Sequence, residues 1–181
     1  SSFLFATPNV NVMMASNVNE AYQLFDKSFT SKEASFIRLP RAYIKKSEVN
    51  KNYQLKEFNV IKSGEKNVAV LGVGPLTNDL LEPLIGSDAS LYSVARLKPI
   101  SKSLINELLQ YQNVVIYTPY ETSNGFAMNL LDELNRNYYK GNTYIKAIPL
   151  KYISHASVVE QLEECGLLPN QIAKFINSLK K

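Results

Sequence analysis

The pattern that most constrains this chain is an alternation of short apolar runs and helix-period segments between residues 67 and 127. The apolar runs at 68–71, 91–94 and 114–117 are typical of buried strands, and leucine-rich segments with helical spacing follow the first two. Strands alternating with helices predict a parallel sheet with helices on its faces. Right-handed crossovers then bring the carboxyl ends of the strands to one edge. The predicted fold class is therefore α/β, with a mostly parallel sheet flanked by helices.

The segment before this unit has its own α/β character. A strand is predicted at 10–15, and Asn17 caps a following helix with Glu20 three residues on. The apolar face expected for this helix is Ala21, Leu24, Phe25 and Phe29. A second strand is predicted at 35–39. Because two strands and one helix cannot fold alone, residues 1–42 are interpreted as the end of a larger α/β domain.

The rest of the chain completes the central unit. Residues 43–57 are polar without regular apolar spacing, which predicts a linker into a domain at 58–181. Ser157 and Glu160 form a capping box for a short helix, and Pro169 is placed near the start of a last helix. The predicted core-facing stripe of that last helix is Ile172, Phe175, Ile176 and Leu179.

Composition excludes several classes of function. The net charge of +4 comes from scattered lysines with no basic stripe, which argues against a nucleic-acid partner. No apolar run reaches the roughly 18 residues that span a bilayer. The single Cys165 excludes an internal disulfide and a multi-cysteine metal site, which fits a reducing, cytoplasmic compartment. Because the chain begins Ser1-Ser2 without a methionine, we expect an N-terminal piece beyond it.

Three candidate chemical features favour structural roles. Gly72-Val73-Gly74 follows a strand, as in a dinucleotide-binding fingerprint. Because the sequence lacks the third glycine of that fingerprint, a tight turn is favoured. His155 is the only histidine and has no orienting acid on its side of the following helix, so a hydrogen-bonding role before the cap is predicted. Cys165 ends an amphipathic helix without a neighbouring histidine, which predicts a buried structural thiol.

Two arginines are better candidates for binding. Arg38 and Arg41 leave the end of a predicted strand on either side of a proline. Guanidinium groups at a strand end suit a phosphate or carboxylate ligand. The alternative is a pair of surface arginines bound to acidic neighbours, and the residues alone leave both open.

A further cluster follows the third strand of the central unit. Tyr117, Tyr120, Glu121 and Asn124 lie at a predicted strand-to-helix turn. They could line a cleft, although a subunit or domain contact explains exposed tyrosines equally well. From the residues alone, the chain is a soluble α/β protein with one weak anion site and no assigned reaction.

An ordered set of motifs resembles one known family, 1-deoxy-D-xylulose-5-phosphate synthase. In that family Arg-Tyr-Pro-Arg-Gly ends the pyrimidine-binding domain, and Arg-Phe-Val-Lys-Pro and His-Gly-Ser occur in the C-terminal domain. The segments of this chain that carry the resemblance are Ile37-Arg38-Leu39-Pro40-Arg41, Val68-Ala69-Val70-Leu71-Gly72, Ala95-Arg96-Leu97-Lys98-Pro99, Asn124-Gly125-Phe126, His155-Ala156-Ser157 and Cys165-Gly166-Leu167. They cover nearly the whole chain in the family's order. The wider thiamine-diphosphate family, including transketolases and 2-oxoacid dehydrogenase β-chains, shares the same pair of domains.

The resemblance implies a transferase that decarboxylates pyruvate and joins the two-carbon unit to glyceraldehyde 3-phosphate, with thiamine diphosphate and Mg²⁺, for isoprenoid-precursor and thiamine biosynthesis. It implies that Arg41 holds the acceptor's phosphate and that Arg38 supports it. The transketolase C-terminal-like domain at 58–181 would then serve packing and a homodimer contact. These roles are expectations from the resemblance.

The chain also departs from the family. It does not contain the Gly-Asp-Gly segment that binds Mg²⁺ and diphosphate, the glutamate that activates the cofactor or the substrate histidines, so we expect it to be inactive alone. Leu39, Ala42 and Ala156 replace the family's tyrosine and two glycines, Thr118-Pro119 replaces its acidic pair, and 15–18 departs from its Pro-Ser-Asp-Glu. These differences leave open a transketolase or 2-oxoacid dehydrogenase fragment, or a divergent non-catalytic assembly module.

Overall fold

A computed structural model describes residues 2–39, 49–50 and 52–179. In chain order its elements are α1 (Ser2–Ala6), β1 (Val10–Met14), α2 (Val18–Thr30), β2 (Ala34–Arg38), β3 (Asn59–Lys62), β4 (Val68–Gly72), β5 (Ser90–Ser93), β6 (Arg96–Lys98), α3 (Lys102–Leu108), β7 (Asn113–Thr122), α4 (Phe126–Arg136), β8 (Asn142–Ile148), α5 (Val158–Glu164) and α6 (Pro169–Ser178). Arg41 and most of the predicted linker lie outside the described residues, and positions 49–50 and 52–57 have no helix or strand. No helix among the elements above is both long and apolar enough to cross a membrane.

The larger sheet has the strand order β3-β5-β4-β7-β8. Strands β5, β4, β7 and β8 are parallel, and β3 pairs antiparallel to β5 at the edge. Every residue of β4 is buried, as a central strand covered on both faces requires. Side chains of α3 and α4 form one core with this sheet, and those of α6 form a second core on the opposite face. The predicted α/β class with a parallel sheet flanked by helices is confirmed.

The smaller sheet contains strands from both predicted domains, residues 1–42 and 58–181. Its order is β2-β1-β6, with β1 and β2 parallel and β6 antiparallel to β1. Strand β6 follows β5 in the chain, yet it leaves the larger sheet to complete the smaller one. Lys98 at its end donates from Nζ to the carbonyls of Leu4 and Phe5, both at 3.0 Å, and also to that of Thr7. Residues on both sides of the predicted linker therefore build this sheet together.

Two local predictions differ from the structure. The helix expected after β4 is instead a pair of 3₁₀ helices, Pro75–Leu80 and Glu82–Leu84. Pro83 has no backbone N–H and its ring crowds the preceding turn, so a continuous α-helix cannot pass through it. Strand β7 does not end at residue 117 but runs on to Thr122, with a register shift after Thr118.

The apolar face predicted for α2 is only half right. Leu24 is 1% exposed, but Phe25 is 40% and Phe29 is 85% exposed. The helix is rotated so that Glu20 and Leu24 face inward. By contrast, the stripe predicted for α6 is confirmed, because Ile172 and Ile176 are fully buried.

Candidate functional site

The strand order places a topological switch between β4 and β7. From β4 the chain passes to β5 on one side, and it then crosses to β7 on the other side. In open α/β sheets, ligands bind in the crevice outside the carboxyl ends of strands at such a point. Here that crevice lies between the turn after β4 and the second half of β7.

Side chains fill the part of the crevice beside Gly74. Gly74 has φ of 81°, and a Cβ built there would lie 2.6 Å from a ring carbon of Tyr120 and 2.7 Å from the terminal methyl of Met14. The Tyr120 hydroxyl accepts a hydrogen bond from the backbone N–H of Leu76 at 3.1 Å. Burial raises the pKa of Tyr120. The predicted tight turn at residues 72–74 is confirmed, and it closes against both sheets.

Arg38 reaches the same crevice from the smaller sheet. Its Nη2 donates to the backbone carbonyl of Tyr120, and its Nη1 lies 4.0 Å from Oε2 of Glu121. The Arg38 side chain remains 35% exposed, whereas that of Glu121 is 8% exposed. The structure therefore brings Arg38 to the predicted tyrosine cluster and pairs it with an acidic neighbour. Arg41, its predicted companion, lies outside the described residues.

Glu121 connects this contact to α4. Its Oε1 accepts a hydrogen bond from the backbone N–H of Phe126 at 2.8 Å. Gly125 precedes the helix without a side-chain cap, and a Cβ there would lie 2.5 Å from Glu121 Oε2. A carboxylate at a helix N-terminus satisfies free N–H groups and complements the helix dipole. Glu121 thus caps α4 and faces Arg38 with one carboxylate.

The other two residues of the predicted cluster lie apart from this contact. Tyr117 is fully buried, as its place in the predicted buried strand at 114–117 requires, and its hydroxyl donates to the Leu167 carbonyl at 2.8 Å. Burial raises its pKa well above the ordinary value. Asn124 is exposed at the turn before α4. The alternative of exposed tyrosines at a subunit or domain contact is therefore wrong for Tyr117.

A buried carboxylate missed by the sequence analysis lies beside the crevice. Glu20 is 0% exposed; its Oε2 accepts from the N–H and hydroxyl of Ser16, both at 2.8 Å, and its Oε1 accepts from Asn59 Nδ2 at 2.7 Å. Asn17 caps α2 as predicted, but Glu20 bonds to Ser16 instead of completing the box at Asn17. Burial, and then the charge of Glu20, raise the pKa of Tyr53.

This cluster joins β3 of the larger sheet to the turn after β1. Asn78 strengthens the joint by donating from Nδ2 to the Ser16 carbonyl at 3.0 Å. The Asn17–Glu20 spacing was the only local signal for a role of Glu20. The contact with Asn59 could not be predicted from it, because Asn59 is 39 residues from Glu20 in the chain.

The remaining candidates lie elsewhere. His155 is exposed, and no hydrogen bond of the described residues involves it. Cys165 is a free, partly buried thiol that packs against the core under α6. Within 2–39, 49–50 and 52–179, no group of three or more His, Cys, Asp or Glu side chains could hold a metal ion.

Sequence comparisons identify relatives over almost the whole chain. No family model matches it. It is 28% identical to 1-deoxy-D-xylulose-5-phosphate synthase from Exiguobacterium sibiricum, over 99% of this chain and 30% of that protein. It is 27% identical to the proteins of the same name from Pseudoalteromonas translucida and Listeria innocua, over 97% and 98% of this chain. The chain spans about 30% of the length of these relatives.

Solved structures show the fold independently. A split-gene transketolase, described as an inactive β4 tetramer, matches with a TM-score of 0.84 at 19% identity, over 99% of this chain and 62% of that one. The transketolase of Campylobacter jejuni matches with a TM-score of 0.70 at 14% identity, over 98% of this chain and 27% of that one. The chain thus has a transketolase-like α/β fold, and over nearly its whole length it resembles the C-terminal part of 1-deoxy-D-xylulose-5-phosphate synthase.

Proposed function

We propose that this chain is part of a thiamine-diphosphate-dependent transferase that decarboxylates pyruvate and joins the two-carbon unit to glyceraldehyde 3-phosphate. The observation that carries the proposal is the similarity to proteins named 1-deoxy-D-xylulose-5-phosphate synthase, which extends over 97–99% of the chain. We also propose a cytoplasmic location, because the single cysteine of the chain, Cys165, forms no disulfide.

The acceptor's phosphate is the ligand we assign to the end of β2. Arg41 would supply its guanidinium directly, three residues beyond Arg38. Arg38 would support it by holding the end of β2 against Tyr120 and Glu121. A guanidinium fork matches the oxygens of a phosphate monoester, which makes arginine the suitable residue for this role.

The cofactor belongs outside the described residues. Mg²⁺ prefers oxygen ligands in near-octahedral geometry. The described part of the chain offers no group of three carboxylate, histidine or cysteine side chains that fits such an ion. We therefore assign Mg²⁺ and the diphosphate to other residues of the complete enzyme.

The role assigned to these 181 residues is packing and homodimer assembly, without turnover on their own. The chain corresponds to about 30% of the relatives' length, which supports the absence of turnover by these residues alone, and the homodimer role rests on the resemblance to the family.

A second candidate is a subunit of a split transketolase-type enzyme. The structural neighbour with a TM-score of 0.84 is a split-gene transketolase described as an inactive β4 tetramer. If this chain works in the same way, it would assemble with itself in an inactive form and need a second polypeptide for activity.

The test is an assay of the protein in its native full-length or complexed form, with thiamine diphosphate and Mg²⁺. We expect pyruvate consumption that depends on glyceraldehyde 3-phosphate, and none from the isolated 181 residues. Use of xylulose 5-phosphate as the donor instead of pyruvate would favour the transketolase alternative. Turnover by the isolated chain would refute the assembly role.

The phosphate assignment has its own test in the active form. We expect Arg41→Gln to raise KM for glyceraldehyde 3-phosphate by about tenfold or more, through loss of charged hydrogen bonds, with KM for pyruvate unchanged. Arg136→Gln is the matched control because Arg136 is a 70%-exposed surface arginine on α4. An equal rise in both KM values would show that Arg41 does not bind the acceptor's phosphate.

A further inference from the structure

A cavity opens on the face of the smaller sheet that α2 covers. Its volume is about 220 Å³, and it lies between α2, strands β1 and β2, and residues 55–57. Asn11 and Met13 of β1 line the cavity, whereas Val12 and Met14 belong to the core on the other face of this strand. Because successive side chains of a strand point to opposite faces, the cavity and the crevice at Met14 lie on opposite faces of the smaller sheet.

Arg96 provides the cavity with N–H donors that have no partner among the described residues. It is half-buried on β6, and its Nη2 donates to Oδ1 of Asn11 at 3.1 Å. Asn11 is the only hydrogen-bond acceptor that the described residues offer to this guanidinium, and none of their ion pairs includes it. A guanidinium has five N–H donors in a fixed fork, so most of them remain available at the cavity wall.

The neighbouring charges favour an anion. Lys27 and Lys56 line the cavity, and neither forms an ion pair with a described residue. Of the two acids in the lining, Glu33 accepts a hydrogen bond from Asn11 Nδ2 at 2.7 Å. Glu57 accepts one from Ser103. Three basic groups therefore face two carboxylates that already have hydrogen-bond donors.

The floor of the cavity is apolar. Met13 is 8% and Leu24 is 1% exposed, and Leu55 packs against the same small core. Pockets for drug-sized ligands have volumes of roughly 300–1,000 Å³, so this cavity fits a smaller molecule. A ligand with an oxyanion at Arg96 and a short hydrocarbon body on Met13 and Leu24 would form hydrogen bonds with the guanidinium and apolar contacts with the floor.

We propose that this cavity is a binding site for a small organic anion, whose carboxylate or phosphate pairs with Arg96 while its short apolar body lies on Met13 and Leu24. The basic side chains attract anions, and the apolar floor favours a ligand with a hydrocarbon body over inorganic phosphate. The site does not depend on the proposed transferase activity.

The test is a titration of the purified chain followed by ¹H–¹⁵N correlation spectra. The probes are butanoate, butyl phosphate and 1-butanol, which share one hydrocarbon body and differ in the polar group. We expect saturable shifts of the Asn11, Ser35 and Leu55 amides with one or both anions, and no saturation with the alcohol. Binding of only one anion would identify the headgroup. No saturable shift with either anion, or equal binding of the alcohol, would overturn the proposal.

Variants separate the cavity from general charge effects. Arg96→Gln should weaken anion binding about tenfold or more, because a charged hydrogen-bonded pair is lost. Arg136→Gln removes the same charge from α4 and should bind like the wild type. Should Arg96→Gln not fold, the double variant Lys27→Gln/Lys56→Gln changes only exposed side chains and should still weaken binding severalfold. Unchanged affinity in either folded variant refutes the site.

Discussion

The two sheets are enclosed to very different degrees. Every residue of β4 is buried between two helical layers, whereas β2 alternates exposed and half-buried side chains. Phe36 within β2 is 40% exposed, and Phe29 on α2 is 85% exposed. The larger sheet is therefore covered on both faces, whereas the smaller sheet is buried mainly where Val12, Met14 and Leu97 enter the core shared with the larger sheet.

The contacts between the two sheets are both apolar and polar: Val12, Met14 and Leu97 of the smaller sheet belong to the same buried core as α3 and α4, and hydrogen bonds join the sheets at defined points. Glu20 binds Asn59 of the larger sheet, and Arg38 binds the backbone of Tyr120. Lys98 holds three carbonyl groups of the α1 region while its own strand completes the smaller sheet. The smaller sheet is therefore covered on the face that joins the larger sheet's core and is more exposed elsewhere, and hydrogen bonds add to the apolar contact between the sheets.

The largest effect should come from a cavity in the core around the larger sheet. Ile116→Ala removes a fully buried side chain of β7 and should lower the free energy of unfolding by about 2–5 kcal/mol. Ile37→Ala on β2 should cost clearly less, because Ile37 is only partly buried. Urea unfolding followed by circular dichroism measures both, with Val158→Ala on exposed α5 as a control within about 0.5 kcal/mol. Equal losses at the two positions would contradict the comparison.

Loss of the Glu20 joint should be the next largest effect. Glu20→Ala leaves the buried N–H and hydroxyl of Ser16 without their acceptor, removes one of the two acceptors of Asn59 Nδ2, and should cost about 2–4 kcal/mol. Glu163→Ala, at an exposed position of α5, is the control. Amide hydrogen exchange should accelerate in β1 and remain slow in β4. Uniform acceleration would mean that the sheets unfold as one unit.

A smaller effect is expected from the arginine contact. Arg38→Met keeps the side chain's length but removes the hydrogen bond to Tyr120, so the expected loss is about 1–2 kcal/mol. Arg136→Met breaks only a surface pair with Asp132 and should change stability by about 0.5 kcal/mol or less. Exchange of the β2 amides should quicken in the first variant alone. Indistinguishable variants would show that Arg38 does not join the sheets.

The smallest effect concerns how the stabilisation by Glu107, on α3 beside the larger sheet, depends on pH. The Lys66 ammonium, and then the Tyr92 hydroxyl, lower the pKa of Glu107 below 4.5. The stabilisation is therefore complete above pH 4.5 and is lost as pH falls through the folded-state pKa. Because the Lys66 side chain is 47% exposed, Glu107→Gln should cost about 1 kcal/mol or less at pH 7.

That cost should shrink as the solution becomes acidic, because the wild-type carboxylate is then protonated and resembles the glutamine. Urea midpoints of wild type and Glu107→Gln, measured from pH 7 down to pH 3, provide the readout. A difference between the two proteins that stays constant across this range would exclude the assigned interaction.

Much of the larger sheet could be predicted from sequence because its signals are local. The apolar run of β4 reads directly as a buried strand, and Gly125 does precede α4. The capping box of Ser157 and Glu160 forms as predicted, since both partners lie within one helical turn. The resemblance to a known family also rests on such local motifs and their order.

The candidate site was only partly predictable. Arg38 was a candidate for binding an anion or for pairing with an acidic neighbour, but nothing near it in the chain indicates that Tyr120 would receive its hydrogen bond. Tyr117 lay in the predicted strand at 114–117, but its hydrogen bond to Leu167 joins residues 50 positions apart and has no local signal.

By itself, the sequence determined most of the strands and helices, the caps at Asn17 and Ser157 and the fold class, because these depend on residues within a few positions of each other. Only the tertiary structure decided the rotation of α2 and the partners of Glu20, Arg38 and Arg96. Those partners lie 39, 82 and 85 residues away in the chain. Contacts at such separations follow from how the two sheets pack, and local spacing carries no information about them.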